Sequence, residues 1–192
     1  MFDLSIVIPC YNEEKNLKIL FNSIKSILKK NKSIQFVLVN NGSTDNTKNI
    51  FNSLNNRNIL KVNIKENIGY GHGIMSGVKR STGKVIAWSH SDLQVKLNDV
   101  VSAYSSNTKQ LINNNIVVKG KRTNRSLFDN LFTYFMSVIV NYLFNVNLSD
   151  INAQPKIFSK VFKKNFLNNY PKDFSLDLFF LLLAHKKNLK IV

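Results

Sequence analysis

Two kinds of apolar pattern alternate along the first 120 residues. Short runs rich in β-branched residues, typical of buried strands in a parallel sheet, occur at residues 4–9, 36–39, 59–64, 84–88 and 116–119. Between them, apolar residues recur at helical spacing, first from Leu17 to Leu28, then around Phe51, from the Gly-rich stretch 68–77 to near Ser81, and over about 98–113. Strands that alternate with helices through short connections predict an α/β fold with a mostly parallel sheet flanked by helices.

Polar residues before two of these helices suggest where the helices begin. Asn12 is predicted to cap the first helix, with Glu13 and Glu14 in its first turn, where the helix dipole favours acids. Ser43 or Thr44 is predicted to cap the second helix.

The second half of the chain is more apolar. Residues 126–146 are predicted to form a helix or a broken pair of helices, and Asp129, Asn130 and Asn141 make it a poor transmembrane span. Two interpretations stay open: a core helix or dimer face, and an interfacial membrane helix beside a basic surface. A strand at 153–158, a helix at 175–184 and a strand at 189–192 are predicted to follow.

Composition excludes several classes of protein. The 192 residues suffice for one sizeable core, and the single cysteine, Cys10, allows neither an internal disulfide nor a Cys-based zinc site. A lone thiol fits a reducing cytosol. Asp3 stands where a secretory signal would carry basic residues, and no uninterrupted run of 18 apolar residues occurs. A disulfide-rich secreted protein and a polytopic membrane protein are therefore not expected.

The net charge is strongly positive. There are 27 Lys and Arg residues against 11 Asp and Glu, which gives a formal charge of +16. Such an excess favours polyanions such as nucleic acid, anionic lipid or phosphorylated small molecules. The alternative is a genome rich in A-containing codons, which raises Lys and Asn without any binding purpose.

Polar residues cluster where three predicted strands end, at 9–13, 40–45 and 89–94. Ligands of open α/β sheets bind at the carboxyl ends of the strands, so these three loops are expected to converge on one site.

Four motifs carry a family resemblance. The segments SIVIPCYNEE, VLVNNGSTDNT, NIGYGHGIMSGVKRSTGKVIAWSHSDLQ and KGKR occur in this order. Together they resemble a family 2 glycosyltransferase of the GT-A fold, and within it the dolichyl- and polyprenyl-phosphate sugar transferases. The resemblance implies a single domain over 1–192, with a nucleotide-sugar half at about 1–120 and an acceptor half at about 121–192. It implies transfer of a sugar from a nucleotide-diphosphate donor to polyprenyl phosphate by an inverting displacement.

The resemblance also implies a donor site. The residues assigned to the nucleotide sugar are Pro9, Tyr11, Glu13, Asn40, Asn41, Gly69, His90, Ser91 and Asp92. Asn40 and Asn41 stand where the family usually carries acids, and an amide both accepts and donates. Asp92 is the retained acid of the metal motif and is expected to hold a divalent cation, Mg²⁺ or Mn²⁺, with His90 as a possible second ligand or ribose contact. Asp45 is interpreted as a helix N-terminal acid.

On the acceptor side, the resemblance assigns phosphate binding to Arg122, Arg125 and Lys156, the last standing where relatives have Arg. Asp177 is expected to act as general base only if the acceptor is an alcohol. A lipid phosphate is already ionised and needs no base. Catalysis is thus assigned to Asp92, Arg122 and Asp177.

Three rival functions stay open: a family 2 enzyme that extends a glycan on a hydroxyl, a non-catalytic nucleotide-binding module, and a basic nucleic-acid binder, for which charge is the only sign. The expected partners are a nucleotide sugar, a lipid-phosphate acceptor and an anionic membrane surface, with no specific nucleic acid. The expected location is cytoplasmic, peripheral at the inner face of the cell membrane.

Overall fold

The strands form one twisted sheet in the computed structural model, which describes residues 1–123 and 126–192. The order is β3-β2-β1-β4-β6-β5-β7, and β6 alone among the described strands runs antiparallel to its neighbours. The strands are β1 (Leu4–Cys10), β2 (Ile34–Asn41), β3 (Ile59–Ile64), β4 (Val85–Trp88), β5 (Ile116–Lys119), β6 (Lys156–Ser159) and β7 (Lys190–Ile191). The predicted α/β class and mostly parallel sheet are confirmed.

Helices cover both faces of this sheet. They are α1 (Glu14–Lys30), α2 (Thr47–Ser53), α3 (Tyr70–Arg80), α4 (Leu97–Ile112), α5 (Leu127–Phe144), α6 (Lys160–Lys163) and α7 (Leu176–Lys186). Apolar residues of α1, α2 and α4 pack against one face, and those of α3, α6 and α7 pack against the other. Burial of β1 and β2 on both faces explains why their sequences are almost continuously apolar.

The predicted bounds of β3 and β5 match the structure, whereas the first two helices begin later than predicted. Asn12 has φ of 54° and its Oδ1 accepts a hydrogen bond from the Thr44 amide, so it does not cap α1. Glu13 precedes α1 without a side-chain cap bond, and α2 begins at Thr47. These corrections share one cause, because the polar side chains of this region bond to the neighbouring loop.

Helix α5 turns its apolar face outward. Small or polar side chains at Thr133, Ser137 and Asn141 share the face that is covered, whereas Phe132 is 72% and Tyr142 86% exposed. The Asn141 amide exchanges two hydrogen bonds with the backbone of Leu148, which fixes this face on the protein. The interpretation of α5 as a core helix is therefore wrong.

By length and composition alone, α5 is long and apolar enough to cross a bilayer. Its 18 residues have a mean hydropathy of 1.3, and 11% of that stretch is buried. The polar residues that interrupt this stretch therefore do not exclude α5 as a membrane-spanning helix. Core helices of soluble proteins meet the same two criteria, so this observation is weak by itself.

Candidate functional site

Hydrogen bonds tie together the loops that follow β1 and β2. The Asn12 amide donates to Ser43 Oγ at 3.1 Å, and the Glu13 amide donates to Thr47 Oγ1 at 2.9 Å. Asp45 accepts from the amides of Thr47 and Glu14. Burial raises the pKa of the Asp45 carboxyl, but these hydrogen bonds outweigh it and leave the pKa below its usual value. Asp45 thus serves loop and helix ends, as interpreted from the sequence.

Glu13 connects the first loop to the loop that follows β4. Its Oε1 accepts from Ser91 Oγ at 2.9 Å, and its Oε2 accepts from Asn16 Nδ2 at 2.7 Å. Three loops from three strand ends therefore meet, as the sequence predicts. Tyr11, on the first loop, is 46% exposed, and Pro9 lies at the end of β1.

The amides of Asn40 and Asn41 are engaged inside the protein. Asn40 Oδ1 accepts from the Ser43 amide, and its Nδ2 donates to Asn63. Asn41 Nδ2 donates to Asn67 Oδ1 and to the Gly69 carbonyl at 3.3 Å, bonds that a carboxylate cannot donate. The asparagine at position 41 therefore suits this backbone. The structure does not test the base-binding role assigned to either residue.

Gly69 allows the segment before α3 to approach another loop. Its φ is 141°, and a Cβ there would lie 2.4 Å from the Lys172 carbonyl oxygen. The His72 amide donates to that same oxygen at 3.0 Å. The Gly-rich stretch therefore packs against the loop before α7.

A cavity of about 560 Å³ brings several predicted residues together at the edge formed by the ends of β4, β5 and β6. His90, Asp92 and Arg122 lie in its wall, whereas Pro9, Tyr11, Glu13, Asn40, Asn41 and Gly69 do not. The other lining residues are Gln94, Val95, Asp99, Ala103, Gly120, Lys121, Thr123, Asn152, Gln154 and Pro155. The cavity is thus lined by both a carboxylate and a guanidinium.

His90 and Asp92 are the candidate cation ligands. Burial lowers the pKa of His90, although Asp92 and Asp177 oppose the shift, and a neutral imidazole is the form that binds metals. Asp92 Oδ1 accepts from the Gln94 amide at 3.0 Å, so this aspartate also shapes its own loop. The described residues contain no cluster of three His, Cys, Asp or Glu side chains. The pair therefore fits a cation that takes its other ligands from water and substrate phosphate, as Mg²⁺ or Mn²⁺ does.

Asp150 fixes Arg122 at the cavity wall. The Arg122 amide donates to Asp150 Oδ2, and its Nε donates to Oδ1, both at 2.6 Å. Burial raises the pKa of the Asp150 carboxyl, but the bonds from Arg122 outweigh it and leave the pKa below its usual value. Asp150 engages only some of the five N–H donors of the Arg122 guanidinium, and the others are available to a ligand. Arg125, the third predicted phosphate ligand, lies outside the described residues.

Lys156 and Asp177 do not line the cavity but form a buried ion pair. Lys156 is fully buried, with its Nζ 3.2 Å from Asp177 Oδ1 and donating to the carbonyls of Ile151 and Ala153. Burial lowers the pKa of the Lys156 ammonium, and the Asp177 carboxylate opposes that shift. The contact of Lys156 with an acceptor phosphate stays a prediction that this arrangement does not favour, because the protein itself uses all three donors of the ammonium.

Asp177 is equally engaged, which speaks against its predicted role as a base. Its Oδ2 accepts from the Tyr70 hydroxyl at 3.1 Å, and its Oδ1 accepts from Gln154 Nε2 at 2.9 Å. Burial and the nearby charge of Asp177 raise the pKa of Tyr70, so the phenol keeps the proton that it donates. The Tyr70 ring stacks between His90 and Phe174, at centroid distances of 5.5 and 4.8 Å.

Sequence reasoning missed Tyr70 and Gln154. Tyr70 lies in the Gly-rich stretch 68–77, of which the sequence analysis assigned only Gly69 to the site. Gln154 precedes a proline in a segment interpreted as part of a strand. The signal available for Gln154 was its place two residues before Lys156, which the resemblance assigns to the acceptor side.

Comparison with known proteins places the chain in a family. The model of the family described as "Glycosyl transferase family 2" matches residues 5–146. A dolichyl-phosphate beta-glucosyltransferase of Trichomonas vaginalis is 28% identical over 98% of this chain and 63% of its own length. An undecaprenyl-phosphate 4-deoxy-4-formamido-L-arabinose transferase of Proteus mirabilis is 30% identical over 47% of this chain and 29% of its own length.

Solved structures share the architecture. Glucosyl-3-phosphoglycerate synthase from Mycobacterium tuberculosis, in complex with Mn²⁺, UDP and glucosyl-3-phosphoglycerate, has a TM-score of 0.71 over 99% of this chain and 69% of that chain, at 15% identity. S. aureus TarS 1–349, in complex with UDP-GlcNAc, has a TM-score of 0.63 over 100% of this chain and 56% of that chain, at 20% identity. These likenesses show the GT-A fold. The chain spans about 63% of the length of the glucosyltransferase that it matches along almost its whole length, and its match to the family model over most of its residues shows that it belongs to glycosyl transferase family 2.

Proposed function

We propose that this chain transfers a sugar from a nucleotide-diphosphate donor to a polyprenyl phosphate. The observation that carries the proposal is the cavity that both Asp92 and Arg122 line. Arg122 also borders two smaller crevices against α5, of about 120 and 240 Å³. A site with a carboxylate for a phosphate-bound cation and an arginine beside an apolar helix suits a donor diphosphate and a lipid phosphate.

The names of the relatives support this choice of substrates. Two of them are named for transfer to dolichyl phosphate or undecaprenyl phosphate, and two structural neighbours hold UDP or UDP-GlcNAc. The proposed division of labour assigns the donor to about 1–120 and the acceptor to about 121–192, within one domain.

The proposed reaction is an inverting displacement. Arg122 would hold the acceptor phosphate through the N–H groups that Asp150 leaves available, and bidentate guanidinium is well matched to phosphate. One phosphate oxygen attacks C1 of the sugar as the bond from C1 to the diphosphate oxygen breaks, and the nucleoside diphosphate leaves with the electron pair. Asp92, with His90 beside it, would hold a divalent cation, which when bound would supply positive charge to the leaving diphosphate. Tyr11, Glu13, Asn40, Asn41 and Ser91 are the candidates for contacts with the nucleoside.

No proton has to be removed from the acceptor in this reaction, which agrees with the burial of Asp177 and its ion pair with Lys156. A carboxylate that is 2% exposed and paired with Lys156 is poorly placed to serve as a base for a sugar hydroxyl. This observation favours a phosphate acceptor over the rival in which the enzyme extends a glycan on a hydroxyl.

Membrane association is part of the proposal. α5 is about 27 Å long and presents its bulky apolar side chains to the outside, while its other face is fixed to the protein. Lys121 and Arg122 line a crevice together with residues of α5 and supply positive charge near it, and the whole chain carries +16. An apolar helix face beside basic residues fits an interfacial helix on anionic lipid at the cytoplasmic face.

Vesicle sedimentation tests this part. The variant Phe135→Ser/Tyr142→Ser is expected to lose binding to vesicles of equal parts phosphatidylglycerol and phosphatidylcholine. The control, Ile19→Ser, changes an exposed apolar residue on α1 and should bind like the wild type. Equal binding by all three proteins, or a stable dimer that the double variant breaks, would contradict membrane docking through α5.

A transfer assay tests the activity. The chain, with Mn²⁺ or Mg²⁺, is incubated with UDP- or GDP-sugars and a polyprenyl phosphate, and the lipid-linked sugar is measured. Turnover that Arg122→Met abolishes, and that Asp177→Asn retains whenever it folds, is the expected result. Turnover on a glycan hydroxyl that Asp177→Asn abolishes would support the rival enzyme. Donor binding without any turnover would support a non-catalytic nucleotide-binding module, which the internally bonded Asn40 and Asn41 also favour.

A further inference from the structure

Gln154 carries an acceptor atom that the described part of the protein leaves without a partner. The residue is 7% exposed and lines the cavity, and its Oε1 is buried with no hydrogen bond. A buried polar atom without a partner is costly, and in natural structures such an atom calls for an explanation.

The orientation of this amide is fixed by its neighbours. Nε2 donates to Asp177 Oδ1 and to the Tyr70 hydroxyl, both at 2.9 Å. The Tyr70 hydroxyl donates its own proton to Asp177 Oδ2, so it can only accept from the amide. Asp177 Oδ1 also lies 3.2 Å from the Lys156 ammonium, and a carboxylate only accepts. Flipping the amide would set oxygen against two acceptors, so Oε1 has to point away from the network.

The backbone of Gln154 is fixed as well. A Cβ on Gly120 would lie 1.9 Å from the Gln154 carbonyl oxygen, which shows how closely the end of β5 packs on this residue. The Gly120 amide donates to the Pro155 carbonyl at 2.8 Å. Oε1 is therefore an acceptor held in place by both the side-chain network and the backbone.

A fixed acceptor selects for a donor. Ionised phosphate oxygens of a diphosphate or a lipid phosphate cannot donate a hydrogen bond, whereas a sugar hydroxyl can. The candidates for nucleoside contact, among them Tyr11, Asn40 and Asn41, do not line this cavity, whereas Asp92 and Arg122 do. A sugar between the donor diphosphate and the acceptor phosphate would lie beside Gln154.

We propose that Gln154 is a specificity-determining residue whose Oε1 accepts a hydrogen bond from one hydroxyl of the transferred sugar. This inference rests on the proposed function. Oε1 is shielded from water in this structure, so the inference requires the cavity wall to open beside Gln154 before the hydroxyl reaches it. Asp177 and Tyr70 are then positioning residues, because they fix the amide without touching the sugar.

Binding measurements on the sugar-free and sugar-bearing donor separate this role from a structural one. The probes are UDP, UDP-glucose and the mono-deoxy analogues of UDP-glucose. If the protein binds GDP rather than UDP, the probes are GDP, GDP-mannose and the mono-deoxy analogues of GDP-mannose. Gln154→Met is expected to weaken binding of the nucleotide sugar about tenfold and to leave the nucleoside diphosphate within about twofold. The control is Asn152→Met, an exposed amide in the same cavity wall, which should change neither.

The deoxy analogues identify the hydroxyl. One analogue should bind the wild type about tenfold more weakly than the parent sugar, and should bind Gln154→Met as well as the parent does. The inference would be overturned if Gln154→Met weakened binding of the nucleoside diphosphate as much as binding of the nucleotide sugar. It would also be overturned if the deoxy analogue bound Gln154→Met as much more weakly than the parent sugar as it binds the wild type. If Gln154→Met does not fold, the wild type decides: a penalty for one deoxy sugar supports the inference and no penalty for any overturns it. Failure of the wild type to bind any nucleotide would instead overturn the proposed function.

Discussion

Replacing Lys156 by methionine is expected to destabilise the fold severely. Lys156 is fully buried, and its ammonium contacts Asp177 and the carbonyls of Ile151 and Ala153. Removing one partner of a buried ion pair costs about 3–5 kcal/mol, because the other charge stays behind uncompensated. Two carbonyls also lose their donor, which places the expected loss toward the upper end of that range.

Such a loss is large against the stability of a typical domain, about 5–15 kcal/mol. For a chain of this size, it corresponds to a fall in Tm of roughly 6–20 °C. Urea unfolding followed by circular dichroism should show a lower midpoint with an unchanged slope, as expected when stability alone changes. The control, Lys160→Met, alters an exposed lysine and should stay within about 0.5 kcal/mol of the wild type.

A double variant separates the ion pair from the loss of side-chain packing. Lys156→Met/Asp177→Asn removes both charges and leaves an amide that still has an acceptor for Gln154. It is expected to be more stable than the sum of the two single changes predicts, by about 0.5–3 kcal/mol. If Lys156→Met unfolds at the same urea concentration as Lys160→Met, the lysine is not in the core. The original prediction that it binds the acceptor phosphate would then regain its basis.

Two further predictions concern the cavity wall. The pKa of Asp150 is lowered in the folded state, so the stability that it contributes is present above its unfolded pKa of about 3.9 and is lost as the pH falls through the folded value. Urea midpoints measured from pH 6 down to pH 3 should therefore converge between the wild type and Asp150→Asn, and a constant gap would contradict the assigned pairing with Arg122. Gly120→Ala is expected to destabilise the chain by about 1–3 kcal/mol, because the added methyl would meet the Gln154 carbonyl at 1.9 Å. The midpoint of urea unfolding checks this, and an unchanged midpoint would refute the close packing of β5 on Gln154.

The first half of the fold could be predicted from the sequence because its signals are local. β1 and β2 are buried on both faces, so their apolar runs stand out. Gly69 marks the start of α3, and Gly83 lies between α3 and β4. The loops after β1, β2 and β4 converge because parallel strands end at the same edge of a sheet. Helix starts were less predictable, since Asn12 bonds to the neighbouring loop rather than to its own helix, and Asp45 bonds to Glu14 at the start of α1 as well as to Thr47 at the start of α2.

The second half depends on contacts between distant residues. A lysine at the start of a short strand is usually exposed, and the burial of Lys156 depends on Asp177, which lies on α7. The outward apolar face of α5 could not be predicted either, because the same sequence would suit a core helix. The orientation of α5 is fixed by the hydrogen bond from the Asn141 amide to the Leu148 carbonyl, which holds the small and polar face of the helix against the protein.

The central claim, that a nucleotide diphosphate binds with a cation at Asp92, is tested most directly by a thermal-shift panel. UDP, GDP and CMP are each added with Mn²⁺, with Mg²⁺ and with EDTA, to the wild type and to Asp92→Ala. A ligand at 100 times its Kd adds about 2.7 kcal/mol of apparent stability, which gives a readily measured shift. The account predicts a cation-dependent shift for one base that Asp92→Ala loses. No shift with any nucleotide and cation, or an equal shift in Asp92→Ala, would contradict it.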